Sequence, residues 1–141
     1  MSILIVYWTG SGNTEIMAKQ IYQGILSTDQ EVLLKTVDQI SAEEAQGFNK
    51  IIFGCPSMGI EELEEEEFEP FFKGLENKLA GKKVGLFGSY GWGDGEWMDA
   101  WEKRVLEFEA SLFEKGIKIN STPSSSEEAE CFEFGVRFAS F

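Results

Sequence analysis

Six residues, Thr9-Gly10-Ser11-Gly12-Asn13-Thr14, bring two glycines and three hydroxyls together in one short segment. They follow the apolar run Ile3-Leu4-Ile5-Val6-Tyr7-Trp8, which reads as a buried strand. They precede a helical pattern with apolar positions at Ile16, Met17, Ile21 and Ile25. A strand, a tight polar loop and a helix N-terminus together make an anion site. Free backbone N–H groups and the positive end of the helix dipole converge there. The loop carries no Lys or Arg, so amides and the hydroxyls of Thr9, Ser11 and Thr14 must hold the anion. That suits the single terminal phosphate of a mononucleotide better than a triphosphate. Without a ligand, the same residues would be a helix start capped by Asn13 or Thr14.

Two other phosphate motifs fail here. A Walker A loop ends in Gly-Lys-Ser/Thr, and no lysine precedes Lys19. The dinucleotide fingerprint Gly-x-Gly-x-x-Gly has Glu15 at its third glycine position.

Charge and composition narrow the chemistry further. The 141 residues suit one domain over 1–141 with a full core. Twelve basic against 25 acidic residues give a net charge of −13. Nucleic acid and anionic membranes are disfavoured as partners, and a basic protein patch is favoured. There is no histidine, which removes the usual general base and the commonest metal ligand. Cys55 and Cys131 lack Cys-x-x-Cys spacing, so neither a redox pair nor a metal site is indicated. The N-terminal apolar run is too short for a signal peptide, no run reaches membrane-spanning length, and low cysteine use fits the cytoplasm.

The elements that must position the loop alternate along the chain. Strands are predicted at Ile3–Trp8, Glu31–Val37, Ile51–Gly54, Val84–Gly88 and Ile117–Ile119. Between them, Phe68, Phe71, Phe72, Leu75 and Leu79 form one helical core stripe. Trp97, Trp101, Val105, Phe108 and Leu112 form another, with Gly116 expected just past the helix end. Phe132–Phe141 predicts a last helix, and the serine-rich 121–126 a loop. Five strands interleaved with helices imply an α/β fold with a doubly wound parallel sheet. In such sheets ligands bind beyond the carboxyl ends of the strands. Loops 9–14, 55–62 and 89–97 should therefore meet.

Those three loops carry a family pattern. Thr9-Gly10-Ser11-Gly12-Asn13-Thr14, Cys55-Pro56-Ser57-Met58-Gly59 with Glu61, and Gly88-Ser89-Tyr90-Gly91-Trp92-Gly93-Asp94-Gly95-Glu96-Trp97 together resemble the short-chain flavodoxins of anaerobic bacteria. The likeness runs through nearly the whole chain in order, and the last loop is its most specific part. It implies a five-stranded sheet in the order 2-1-3-4-5 with FMN at the switch point. It implies that the first loop holds the FMN phosphate, that Trp92 stacks on one ring face and that Met58 covers the other. Glu61 would accept from flavin N3–H, and backbone at Gly59-Ile60 would face N5. Pro56, Ser57, Ser89, Tyr90, Gly91, Asp94 and Gly95 complete the implied site. Trp97 and Trp101, at helical spacing, read as core.

The implied function is low-potential, one-electron transfer by non-covalently bound FMN, cycling between semiquinone and hydroquinone, with no substrate of the protein's own. The run Glu61-Glu62-Leu63-Glu64-Glu65-Glu66-Glu67-Phe68-Glu69 adds negative charge beside the flavin. One carboxylate about 10 Å away in a water-like dielectric disfavours a further anion by about 0.4 kcal/mol before screening. Partners would be redox proteins with basic docking patches, and the protein a monomer. An FMN-dependent reductase on this fold would need an open substrate pocket, and the short chain has no extra loop to build one. A receiver-like signalling domain would need an acidic pocket after the first strand, and residues 9–14 contain no acid. Position 60 departs from the family pattern, which often places a small or acidic residue there. In a tight turn centred on Gly59-Ile60, one geometry puts positive φ on the second residue and its mirror puts it on the first, and β-branched Ile60 resists it. Gly59 should take the left-handed conformation, with Ile60 at negative φ, exposed near the flavin edge.

Overall fold

The computed structural model describes residues 2–141. Its elements run β1 (Ile3–Tyr7), α1 (Asn13–Leu26), β2 (Val32–Thr36), α2 (Ala42–Ala45), β3 (Lys50–Gly54), α3 (Phe68–Glu76), β4 (Lys83–Tyr90), α4 (Glu96–Glu107), β5 (Ser111–Leu112), β6 (Ile117–Asn120) and α5 (Ser125–Ala139). All strand pairings are parallel, in the order β2-β1-β3-β4-β5. The fifth position is shared: β5 pairs with Lys83 and Val84 at the start of β4, and β6 pairs with Phe87–Tyr90 at its end. The expected single fifth strand over Ile117–Ile119 is thus the second half of a split strand. The chain between the halves turns through Glu114 at φ 53, which breaks the ladder.

Both faces of the sheet are covered, as parallel sheets require. Side chains alternate along β1. Leu4 and Val6 join Phe53, Leu86, Phe68, Phe72, Trp97 and Trp101 on the α3/α4 face. Ile3, Ile5 and Tyr7 join Phe87, Met17, Ile21, Phe134 and Phe138 on the α1/α5 face. Trp97 and Trp101 are core, as their spacing predicts. Cys55 and Cys131 are free, buried and in different clusters, one on each face of the sheet. Burial pushes both thiols up, Cys131 to about 12, so neither is a ready nucleophile.

Three boundaries differ from the sequence reading. Helix α4 ends at Glu107, and Leu112 belongs to β5, because the backbone reverses at Glu109 with φ 65. Gly116 is consequently not a helix terminator. It lies between the two half-strands, where a Cβ would fall 2.3 Å from Met98 Sδ. Helix α5 starts at Ser125, well before Phe132. Ser124 and Glu127 form a reciprocal capping box, so the serine run is the helix start as well as a loop.

Candidate functional site

The loops that follow β1, β3, β4 and β6 gather at one end of the sheet. The strand ladder continues into them: Trp8 N–H donates to Gly54 O (3.0 Å), Cys55 N–H to Phe87 O (3.1 Å), Ser57 N–H to Ser89 O (3.0 Å) and Ser121 N–H to Tyr90 O (2.7 Å). The loop bases are therefore as fixed as the sheet. A cavity of about 360 Å³ opens among them, within the range of ordinary small-molecule sites. Of the expected residues, Gly10, Ser11, Asn13, Pro56, Ser57, Met58, Ser89, Tyr90 and Gly91 line it. Trp8 and Ser121, which the sequence reading did not assign to the site, line it too.

At the cavity's polar end, Gly12 is the N-cap of α1, with φ 102 and no side-chain cap. Asn13 and Thr14 lie inside the helix, so neither is the cap. A φ of 102 strongly favours glycine, and a glycine has no side chain of its own to cap the first N–H groups of α1. Thr9 Oγ1 accepts from Gly12 N–H (3.2 Å), and Ser11 Oγ from Asn13 N–H at a long 3.5 Å. The Thr14 hydroxyl faces inward. At 1% exposure it bonds Ser89 Oγ (2.9 Å) and also accepts from Ser89 N–H (3.3 Å), tying α1 to β4. Asn13 Oδ1 accepts from Thr122 Oγ1 (3.1 Å), which brings the chain after β6 against the loop.

At the other end, Met58 and Glu62 exchange backbone hydrogen bonds (2.7 and 2.9 Å) and close a loop of three residues, Gly59-Ile60-Glu61. Gly59 has φ 55, as its sequence setting predicts, and Ile60 is not among the positive-φ residues. Glu61 also has positive φ, at 48, because the turn closes one residue later than a Gly59-Ile60 turn would. Its carboxylate accepts from Glu96 N–H (2.7 Å) and Asp94 N–H (3.4 Å), at the N-terminus of α4. The loop after β3 is thereby latched to the loop after β4. Gly95, at φ 83, gives α4 no side-chain cap of its own, so Glu61 supplies one from a distance. Ile60 and Trp92 do not line the first cavity. They share the wall of a neighbouring groove of about 590 Å³.

The acidic run divides. Glu62, Glu65 and Glu66 are exposed. Glu64 is only 7% exposed and accepts from the N–H groups of Glu66 (2.9 Å), Glu67 (2.8 Å) and Phe68 (2.8 Å), at the start of α3. Glu67 accepts from Trp8 Nε1 (3.2 Å), and Glu69 pairs with Arg104 (2.6 Å). The carboxylates of Glu64, Glu67 and Glu69 therefore hold the fold together as well as adding negative charge to this run.

The donor set fits a flavin mononucleotide. An uncapped helix start with neighbouring hydroxyls suits a phosphate, and Trp8, Pro56, Met58 and Tyr90 give the same cavity an apolar wall. The two missed residues had a positional signal. Trp8 and Ser121 immediately follow the carboxyl ends of β1 and β6, where ligands of such sheets bind.

The comparisons with known proteins agree. The flavodoxin family model matches residues 5–135. A flavodoxin of Clostridium beijerinckii is 43% identical over 135 residues, covering 96% of this chain and 97% of the relative. A flavodoxin of Megasphaera elsdenii is 45% identical over 131 residues, 93% of each chain. The solution structure of two-electron reduced Megasphaera elsdenii flavodoxin has the same fold, with a TM-score of 0.88 at 43% identity over 99% of both chains. The chain belongs to the flavodoxin family, the low-potential one-electron carriers that hold FMN without a covalent bond.

Proposed function

We propose that residues 1–141 form a single FMN-binding domain that carries electrons between other redox proteins and has no substrate of its own. One observation carries this reading. The cavity joins an uncapped, lysine-free helix start to apolar walls, and so suits a neutral cradle for phosphate beside a flat ring. When bound, FMN takes up and releases electrons singly.

The protein's part is to hold, orient and shield. Backbone N–H groups from Gly10 to Thr14, with the Thr9 and Ser11 hydroxyls, would hold the phosphate. Thr14 acts through Ser89, fixing the helix start against β4. Ser57, Ser121 and the backbone of Pro56 and Gly91 would face the ribityl chain and the ring edge. Trp92 and Met58, 67% and 40% exposed, would cover the two ring faces. Tyr90 packs on Trp97 at 5.5 Å and supports the loop of Trp92, Asp94 and Gly95. Glu61 accepts two N–H bonds already, and a carboxylate has capacity for a third, from flavin N3–H. Gly59 would present its backbone to N5.

The net charge of −13 and the exposed Glu62, Glu65, Glu66 and Glu96 support partners with basic docking patches, and disfavour nucleic acid and anionic membrane. No helix among the described residues is long and apolar enough to cross a membrane. A monomer acting in the cytoplasm accords with this surface. The test is to denature the purified protein and identify the released cofactor by mass. FMN is expected. FAD, or an apoprotein that takes up no flavin, would overturn the reading.

A further inference from the structure

Ile60 is 81% exposed, the most exposed large hydrophobic side chain among the described residues. Single exposed apolar residues are ordinary on protein surfaces. Ile60 is not single. It shares the wall of the 590 Å³ groove with Trp92, and Met58 is exposed two residues away. Nor is it loosely held. The reciprocal bonds between Met58 and Glu62 clamp its loop, and the latch from Glu61 to the Glu96 N–H ties that loop to α4. A β-branched side chain on a clamped turn gives up little freedom when it is covered.

The charges around it decide what could cover it. Glu61, Glu96 and Asp99 line the groove with one cation, Lys103, and Glu62, Glu65 and Glu66 stand exposed on the segment that follows Glu61. Two copies of so acidic a face would repel each other, and an anionic lipid surface would be repelled in the same way. A partner whose apolar centre is ringed by Lys and Arg meets both features at once. This is the usual anatomy of a specific interface, an apolar centre with a polar rim.

We propose that Ile60 is the apolar anchor of the docking face. It seats in an apolar patch around the exposed cofactor of a basic redox protein, while the carboxylates only steer the approach. The proposal rests on the FMN reading above and adds to it a short-range contact that salt does not screen.

The probe is cytochrome c, a basic protein with an exposed haem edge. FMN uptake by the wild type and by Ile60→Ala and Ile60→Leu is first measured by flavin fluorescence quenching. Failure of the wild type to take up FMN counts against the FMN reading and not against the anchor alone. The loaded, reduced proteins are then mixed with ferric cytochrome c or with neutral benzoquinone over a range of ionic strength. At high salt, Ile60→Ala is expected to lower the ratio of the cytochrome c rate to the benzoquinone rate about five-fold, for the loss of three partly buried side-chain carbons. The salt slope should be unchanged, and Ile60→Leu should restore most of the ratio. A second readout needs no electron transfer. Adding ferrous cytochrome c to the oxidised protein should shift the amide resonances of residues 59–61 and the Trp92 indole. An unchanged ratio in Ile60→Ala, or a shift map that avoids this loop, would overturn the proposal. So would self-association that Ile60→Ala abolishes, with no effect on cytochrome c.

Discussion

Glu64 and Glu65 are neighbours in one acidic run, yet replacing them should do opposite things. Glu64 presents its carboxylate to three backbone N–H groups at the start of α3, and Glu65 faces solvent. In Glu64→Ala the N–H groups of Glu66 and Glu67 can turn to water, a loss of about 1 kcal/mol each as for an ordinary cap. The N–H of Phe68, a buried residue, is left without a partner, which costs about 1–3 kcal/mol more. The sum is about 3–5 kcal/mol, or a fall in Tm of about 10–17 °C for a domain of this size. The pH dependence has a definite sign. Burial works to raise the Glu64 pKa, but the N–H donors of Phe68, Glu67 and Glu66 outweigh it and hold it below the usual carboxylate range. A depressed folded pKa stabilises the fold above the unfolded value of about 4.3, and the contribution is lost as pH falls below that through the folded pKa. Thermal unfolding followed by circular dichroism should show the gap between wild type and Glu64→Gln widest near neutrality and narrowing below about pH 4. Glu65→Lys should leave Tm within about 1 °C and instead slow electron transfer to a basic partner at low salt. A Glu64→Ala protein as stable as wild type, or a Glu65→Lys protein destabilised as much as Glu64→Ala, would refute the assignment.

Other expectations concern the site. Trp92→Ala should weaken FMN binding, and the oxidised form should suffer more than the fully reduced one, because an electron-rich ring gains less from an indole face. The second one-electron potential should then rise in a redox titration, and an unchanged or lowered potential would count against stacking. Gly59→Ala has open space for its methyl, but the left-handed penalty for a Cβ should cost semiquinone stability about 1 kcal/mol and so move a one-electron potential by about 40 mV; unchanged potentials in a redox titration would refute this. Gly93→Ala should damage FMN affinity far more than Gly91→Ala. At Gly93 a Cβ would fall 2.6 Å from Glu61 Cδ and break the latch between the loops, while at Gly91 it meets nothing. Equal affinities for these two variants, measured by fluorescence titration, would show that the latch does not matter. Reversing the charge of exposed Glu62, Glu65 and Glu66 together should lower electron-transfer rates with a basic partner at low salt and flatten their salt dependence. Rates already independent of salt in the wild type would refute electrostatic steering.

The sequence by itself determined whatever depends on local chemistry and periodicity. The apolar runs and helical stripes mark the principal strands and core helices, because burial on both faces of a parallel sheet leaves an unmistakable pattern. The phosphate loop is legible because its glycines and hydroxyls are adjacent in the chain. Gly59 rather than Ile60 takes the left-handed conformation because a Cβ penalises positive φ wherever the residue sits. The capping box of Ser124 and Glu127 is equally local, and it sets the true start of α5 within a serine run that composition marks only as loop. Tertiary structure decided what depends on contacts between distant segments. Nothing in the run from Glu61 to Glu69 distinguishes Glu64, whose backbone N–H meets the buried Cys55 Sγ at 3.4 Å and whose carboxylate takes the three N–H groups left free at the start of α3. Glu61 caps α4 across 35 residues, and Thr14 meets Ser89 across 75. The fifth strand divides because β4 is long enough to pair with two short segments at its two ends. Side-chain type specifies what a residue can donate or accept. Which partner it finds is fixed only when the sheet brings the loop ends together.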